Sequence, residues 1–383
     1  YEPGIAYHLP TLRSKAGGYA EGWLISCGLT PGQMLRLNPR DRDDLLSKYL
    51  AVARSLDVNM VGLGAFTSII TRGGVDVAAC GLNLTTGNSL TAKAAVESLK
   101  IVARDRDKDL ASASLGVIGS MGSVGRLTSK LLASVSGRLV LFGNPANPAA
   151  RKNLEILAGE LYLDALERLW RGDTSGIAGP LRESFPTSDR VPAPLLERRD
   201  DEGLRAIAAF VAEELTRAGA PLPVFFSVDL ERHLPGLDAL ISATNQSEAF
   251  IDSRLHAPGT IVCDVARPPA LRSAVRPRKD IFVYAGGLMV LPDRVRFGAR
   301  NVLGFPSGIN LACLSECIAL AMSGVTRHYS LGNRISVTEA DEVYSFARQH
   351  GFEVSIRASD VDPDEALQEL DAERIHGTAE VSR

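Results

Sequence analysis

The run Leu115-Gly-Val-Ile-Gly-Ser-Met-Gly-Ser-Val-Gly125 constrains this chain more than any other stretch. It is apolar at first, then passes through Gly119, Gly122 and Gly125 into Arg126-Leu-Thr-Ser-Lys-Leu-Leu-Ala133, whose apolar residues recur at helical spacing. It reads as strand, tight turn and helix. Glycine at 119 and 122 lets a backbone turn sharply and approach a pyrophosphate, and glycine at 125 lets a helix lie close on a strand. The helix then offers N–H groups and the positive end of its dipole to the phosphates. The spacing is GxxGxxG rather than GxGxxG, a weak signal alone, but Gly137-Arg-Leu-Val-Leu-Phe142 supplies a second strand and completes a βαβ unit. The turn residues Gly119, Ser120, Met121, Gly122, Ser123, Val124 and Gly125 are therefore candidate cofactor contacts.

The end of the second strand bears on which dinucleotide binds. An NAD site wants a carboxylate there for the ribose hydroxyls, whereas an NADP site replaces it with polar or cationic groups for the 2′-phosphate. The chain has Gly143-Asn-Pro-Ala-Asn-Pro-Ala-Ala-Arg-Lys152, with no carboxylate. NADPH is the expected cofactor, with Asn144 and Asn147 as phosphate contacts and Arg151 or Lys152 as the source of charge. Later strands end in small residues, Ala243 and Thr244, which leave room for ribose along a sheet edge, and two more strands end at Asp264 and near Gly286.

At 383 residues the chain has room for two or three domains. An apolar content of 45%, 35 glycines and a formal charge of -3 fit a soluble α/β protein and leave no basic stripe for nucleic acid. No apolar run is long enough to span a membrane, and no signal peptide is recognisable, although the chain starts at Tyr1 and its true start could lie earlier. The five cysteines are odd in number and none has CxxC spacing, so a reducing, cytoplasmic setting without a metal site is expected. An important cysteine here is then a nucleophile before it is a staple or a ligand.

Along the chain, residues 41–56 read as an amphipathic helix and Val58–Ile70 as a buried strand ending in small and hydroxyl residues. Thr85-Thr-Gly-Asn-Ser-Leu-Thr91 precedes a strong helix, and its hydroxyl and amide side chains exceed what capping needs, suggesting a lined site. Residues 153–170 are helical. The span Arg171–Leu222, rich in Pro, Gly and charge, is longer than an ordinary connection and reads as an insertion, with one helix near Glu202–Ala218. In Phe305-Pro-Ser-Gly-Ile-Asn-Leu-Ala-Cys-Leu-Ser-Glu-Cys317, Ser307 or Asn310 is placed to cap a helix whose first or second turn carries Cys313. There the dipole favours thiolate. Cys317 follows one turn on. A cysteine on an apolar helix face is also a common core residue, so spacing alone leaves both readings open. His328, in a polar loop downstream, is a candidate acid or base.

Taken together, Gly62-Leu-Gly-Ala-Phe-Thr-Ser-Ile-Ile70, Thr85-Thr-Gly-Asn-Ser-Leu-Thr-Ala92, the glycine turn, the strand end Ile261–Pro268, Ala312-Cys-Leu-Ser-Glu316 and Tyr329-Ser-Leu-Gly332 resemble the long-chain acyl-carrier-protein reductases known from cyanobacteria. The resemblance runs from about residue 20 to about 355, with an extra insertion at about 162–222. It implies NADPH-dependent reduction of an acyl thioester, on acyl-carrier protein or coenzyme A, to an aldehyde through an acyl-enzyme on Cys313. Oxyanion donors would be backbone N–H groups at a helix start, or Thr86 and Asn88. Two other readings remain open: a shikimate- or amino-acid-type dehydrogenase without covalent catalysis, and a non-catalytic nucleotide-binding scaffold. Homo-oligomerisation is left open as well.

The fold expected is α/β: a Rossmann-like, doubly wound parallel sheet over 107–305, with a smaller α/β substrate domain from 1–106 on which helices of 306–383 pack. The acidic segment after about 358 is expected to be loosely held or to form a short helix.

Overall fold

The computed structural model describes residues 2–358 apart from 65, 247–248, 273–277, 299–300 and 302–303, so the C-terminal acidic segment lies outside the described residues. The chain is an α/β protein of two compact units, one comprising Tyr1–Ala94 with Gly287–Arg383 and the other Ala95–Gly286. These divisions stand against expected ones at 106/107 and 305/306.

The first unit opens with an antiparallel ribbon, β1 (Gly4–Arg13) and β2 (Tyr19–Ser26). Sequence pattern marks only Gly22–Cys27 as strand. The ribbon's register is irregular between Ile5 and Tyr7 and between Leu9 and Leu12, and such slips erase the alternation on which a pattern depends. A short helix α1 (Pro31–Leu35) carries a capping box from Thr30 and Gln33. Helix α2 (Pro39–Ser55) starts two residues before its expected position, because Asn38 caps it through the Asp41 N–H and Pro39 suits a first turn.

The strand expected over Val58–Ile70 is instead β3 (Val61–Gly62) followed by a short helix α3 (Phe66–Ile70). The β-branched Ile69 and Ile70 favour a strand locally, but the Thr67 N–H and hydroxyl both bond back to the Gly64 carbonyl and turn the chain. Strand β4 (Leu84–Thr85) pairs parallel with β3 and leads into α4 (Asn88–Asp105), within which the first unit ends.

The second unit begins with the expected βαβ, made of β5 (Ser114–Ile118), α5 (Ser123–Ala133) and β6 (Arg138–Phe142). The long region after it is helical: α6 (Ala150–Trp170), α7 (Ala178–Leu181), α8 (Ala193–Glu197) and α9 (Asp201–Arg217). Helices α6 and α9 pack so closely that a Cβ on Gly159 would stand 1.8 Å from the Leu204 carbonyl oxygen. There follow β7 (Val224–Ser227), α10 (Leu230–His233), β8 (Ala239–Ser242), β9 (Ile251–Asp252), β10 (Ile261–Asp264), β11 (Leu271–Arg272) and β12 (Phe282–Ala285).

Six of these strands form one parallel sheet in the order β7-β6-β5-β8-β10-β12, while β9 and β11 make a separate short pair. The chain lays strands outward from β5 in one direction and then, from β8, in the other. Side chains of Ile118, Val140, Leu240 and Val262 make a core on this sheet.

The chain then returns to the first unit as β13 (Leu288–Val290), β14 (Ile309–Leu311), α11 (Ala312–Met322), α12 (Val337–Gln349) and β15 (Glu353–Val354). β13 stands between β14 and β15 in an antiparallel sheet. Leu9, Met60, Leu90, Met289, Leu320 and Phe352 belong to one core, so segments far apart in sequence share it. Among the described residues no helix is long and apolar enough to cross a membrane.

Candidate active site

Two candidate features stand out, one in each unit. In the second unit, β5 delivers the chain to Gly119, which has φ +77 and whose Cβ, were there one, would meet the Ala243 carbonyl oxygen at 2.5 Å. A Cβ on Gly125 would lie 2.1 Å from the Gly119 carbonyl oxygen, so α5 sits directly on the turn. Gly122 is the N-cap of α5, in extended conformation and with no side chain to cap the helix. Gly119 and Ala243 adjoin at the ends of β5 and β8, the point at which strand order reverses.

The other sequence candidates in this unit lie as follows. Ser120 is buried and donates to the Phe142 carbonyl at 3.1 Å, tying the turn to β6. Met121, Ser123 and Val124 are half-buried on the turn and the first turn of α5. The Asn144 and Asn147 side chains accept from the Ala146 and Ala149 N–H groups at 2.9 and 3.0 Å, within their own turns. Arg151 is exposed and reaches Glu155. Thr244 accepts from the Gln246 N–H at 3.3 Å.

Asp264 is buried, and its carboxylate accepts from the Ala266, Ala270 and Leu271 N–H groups, so it braces its own loop. Burial nevertheless outweighs those bonds and pushes its pKa up. At Gly286 a Cβ would come within 2.3 Å of the Cys263 sulfur, which makes this glycine a packing requirement. Burial pushes the Cys263 thiol up to about 12.

In the first unit, α11 begins at Ala312, with Leu311 as its N-cap and no side-chain cap. The expected caps are otherwise engaged: Asn310 belongs to β14 and accepts from the Leu311 N–H at 2.9 Å, while Ser307 donates to the Val295 carbonyl. Pairing of β14 with β13 keeps residues 309–311 extended up to the helix start. Cys313 therefore stands in the first turn of a helix with no side-chain cap.

Its side chain lines a cavity of about 830 Å³, walled by apolar groups that include Trp23, Tyr49, Phe66, Phe297 and Ile318. Cys317 lines it too, but burial pushes that thiol up to about 12. Thr86 lies on the same cavity, and its hydroxyl donates to the Ser330 carbonyl. Gly87, with φ +75, is pressed against the cysteine: a Cβ there would be 2.3 Å from the Cys313 Cα. Asn88, the next residue, opens α4 and is not part of the cavity wall.

His328 is not part of it either. It is exposed, and its Nδ1 accepts the Leu84 N–H at 3.1 Å, which anchors β4. The sequence reading passed over Glu316, although it is the one charged residue in Ala312–Met322 and is fully buried. A lone carboxylate in an apolar helix was the available signal. Trp23 and the ribbon wall carried none.

No protein-family model matches the chain. Among curated proteins, the aminotransferase PigE of Serratia sp. (strain ATCC 39006) is 24% identical over 354 residues, covering 91% of this chain and 34% of PigE. The chain thus spans about a third of the length of the curated relative it matches. Two solved structures of the rRNA methyltransferase aviRa from Streptomyces viridochromogenes align at 18% identity, covering 39% and 41% of this chain and 57% and 60% of theirs. Their TM-scores of 0.20 and 0.21 are too low to support any argument. The similarity to PigE overturns the resemblance to the acyl-carrier-protein reductases: a protein named as an aminotransferase matches nearly the whole chain. The expected reduction of an acyl thioester to an aldehyde falls with that resemblance.

Proposed function

We propose that the chain is an enzyme that binds a nicotinamide dinucleotide at the Gly119–Gly125 turn and uses Cys313 to capture the carbonyl carbon of an apolar compound. The observation that carries this reading is the position of Cys313, in the first turn of an uncapped helix and opening on an apolar cavity of about 830 Å³. A thiolate is a strong nucleophile toward carbonyl carbon, and the cavity has the volume and lining for a hydrocarbon chain. The developing oxyanion would find backbone N–H groups at the start of α11.

The sheet of the second unit has the 3-2-1-4-5-6 order of a doubly wound dinucleotide fold, and close packing at Gly119 and Gly125 sets the exposed Gly122, the N-cap of α5 with no side chain, at the end of β5. The absence of a carboxylate over Gly143–Ala149 favours NADP over NAD. A nicotinamide, when bound, exchanges a hydride with a carbonyl carbon.

PigE is named for transamination, which also handles carbonyl compounds but needs a lysine amine to hold its cofactor. Among the described residues no lysine lines the Cys313 cavity, so we assign carbonyl capture rather than amination to it. Carbon NMR of the full chain with aldehydes of graded chain length, labelled with carbon-13 at the carbonyl, tests the reading. A tetrahedral thiohemiacetal carbon, formed as the Cys313 sulfur adds to the carbonyl and the oxygen takes a proton, is expected with the native chain and not with Cys313→Ala. The same adduct on Cys313→Ala would exclude capture by this sulfur.

A further inference from the structure

A carboxylate buried at 0% exposure in the apolar helix α11 is costly unless donors surround it. Glu316 has three. The Leu90 N–H reaches Oε2 at 2.7 Å, and the Thr85 and Ser330 hydroxyls each reach Oε1 at 2.5 Å. These donors come from the end of β4, the first turn of α4 and the loop after α11.

Ser330 is held in turn. It has φ 58, rare for a residue with a side chain, its N–H is accepted by Glu339 at 2.5 Å, and its carbonyl accepts the Thr86 hydroxyl. The Gly87 N–H adds a bond to the Thr85 hydroxyl at 3.1 Å. Burial pushes the Glu316 pKa up, and the like charge of Glu339 acts in the same sense.

The carboxylate thus fastens both ends of the segment Thr85–Leu90, and in the middle of that segment lies Gly87, packed on Cys313. Glu316 and Cys313 are three residues apart and share a face of α11. We infer that Glu316 is the positioning residue of this centre: by gripping Thr85 and Leu90 it holds the Gly87 backbone against Cys313 and fixes how the sulfur meets the cavity. The inference rests on the reading of Cys313 as nucleophile given above. It also accounts for an ionisable group placed where an apolar residue would pack at lower cost.

The test is Glu316→Gln in the full chain, which keeps the side chain's shape but turns one acceptor into a donor facing the N–H of Leu90 or the two hydroxyls. Two readouts need no substrate. Hydrogen exchange is expected to quicken in the peptide spanning 85–90 while β13 and β14 keep native protection. Alkylation of Cys313 by iodoacetamide is expected to rise about tenfold relative to Cys27 in the same molecule, as local opening frees one flank of the sulfur.

Cys27 lines the same cavity, so a general loosening would raise both rates together. Unchanged exchange at 85–90, or an unchanged Cys313 to Cys27 ratio, would overturn the inference. If Glu316→Gln does not fold, Ser330→Ala removes one donor and is expected to move both readouts in the same direction by less. Absence of the tetrahedral carbon-13 adduct in the native chain would instead strike at the carbonyl reading and leave these two readouts standing.

Discussion

The glycines at 87, 119 and 125 do different work from one another. Gly119 and Gly125 follow from local chemistry, since a strand that must turn at once into a helix packed on that same turn needs them, and their purpose is legible in a dozen neighbouring residues. Gly87 is legible only as part of a stretch rich in small polar residues. Nothing nearby in sequence says that Cys313 will press on it. Glu316 has the same difficulty, because its partners at 85, 90 and 330 are far from it along the chain. At Gly119 the energetic consequence is definite: φ +77 together with a backbone oxygen 2.5 Å from the would-be Cβ leaves no rotamer by which to escape. Gly119→Ala is expected to cost about 1 to 3 kcal/mol of stability, read by thermal melting, and to remove the NADPH binding proposed above, read by nucleotide fluorescence.

Among the elements, long periodic helices could be read and short context-dependent pieces could not. Helices α2, α6 and α9 appear near their expected limits, whereas β3 and α3 replace one expected strand and half of the β1–β2 ribbon went unread. His328 illustrates the limit for a single polar residue: a loop histidine suggests proton transfer, but here its ring nitrogen satisfies a backbone N–H of β4. Another histidine matters more for the element it sits in. His256, just after the Ser253–Leu255 turn, is 3% exposed, and neither ring nitrogen has a hydrogen-bond partner among the described residues. Burial and the nearby Arg278 charge lower its pKa to about 4. The unfolded chain, with an ordinary value near 6.5, binds the proton first. His256 is thus neutral and harmless above about pH 6.5, and stability falls as pH drops from there toward 4, by on the order of 3 kcal/mol. His256→Gln is expected to flatten the dependence of the melting temperature on pH across that window. An unchanged slope would place the acid sensitivity elsewhere.

At the scale of the whole molecule, the α/β class and the parallel sheet were accessible from sequence, because glycine punctuation and hydrophobic period report on chain direction and layering. The cavity was not, because its wall is assembled from β2, α2, α3 and α11, segments whose proximity no local pattern encodes. The similarity to PigE covers nearly the whole chain at an identity that leaves the chemistry to be argued from the site itself. That argument turns on one sulfur and the cavity beside it. The most direct measurement is peptide-mapped mass spectrometry of the full chain after exposure to chloromethyl ketones with short and long alkyl tails. The account predicts one adduct per chain, on the Cys313 peptide, forming faster with the long tail than with the short. Labelling that falls on Cys27 or Cys317, or that ignores tail length, would contradict it.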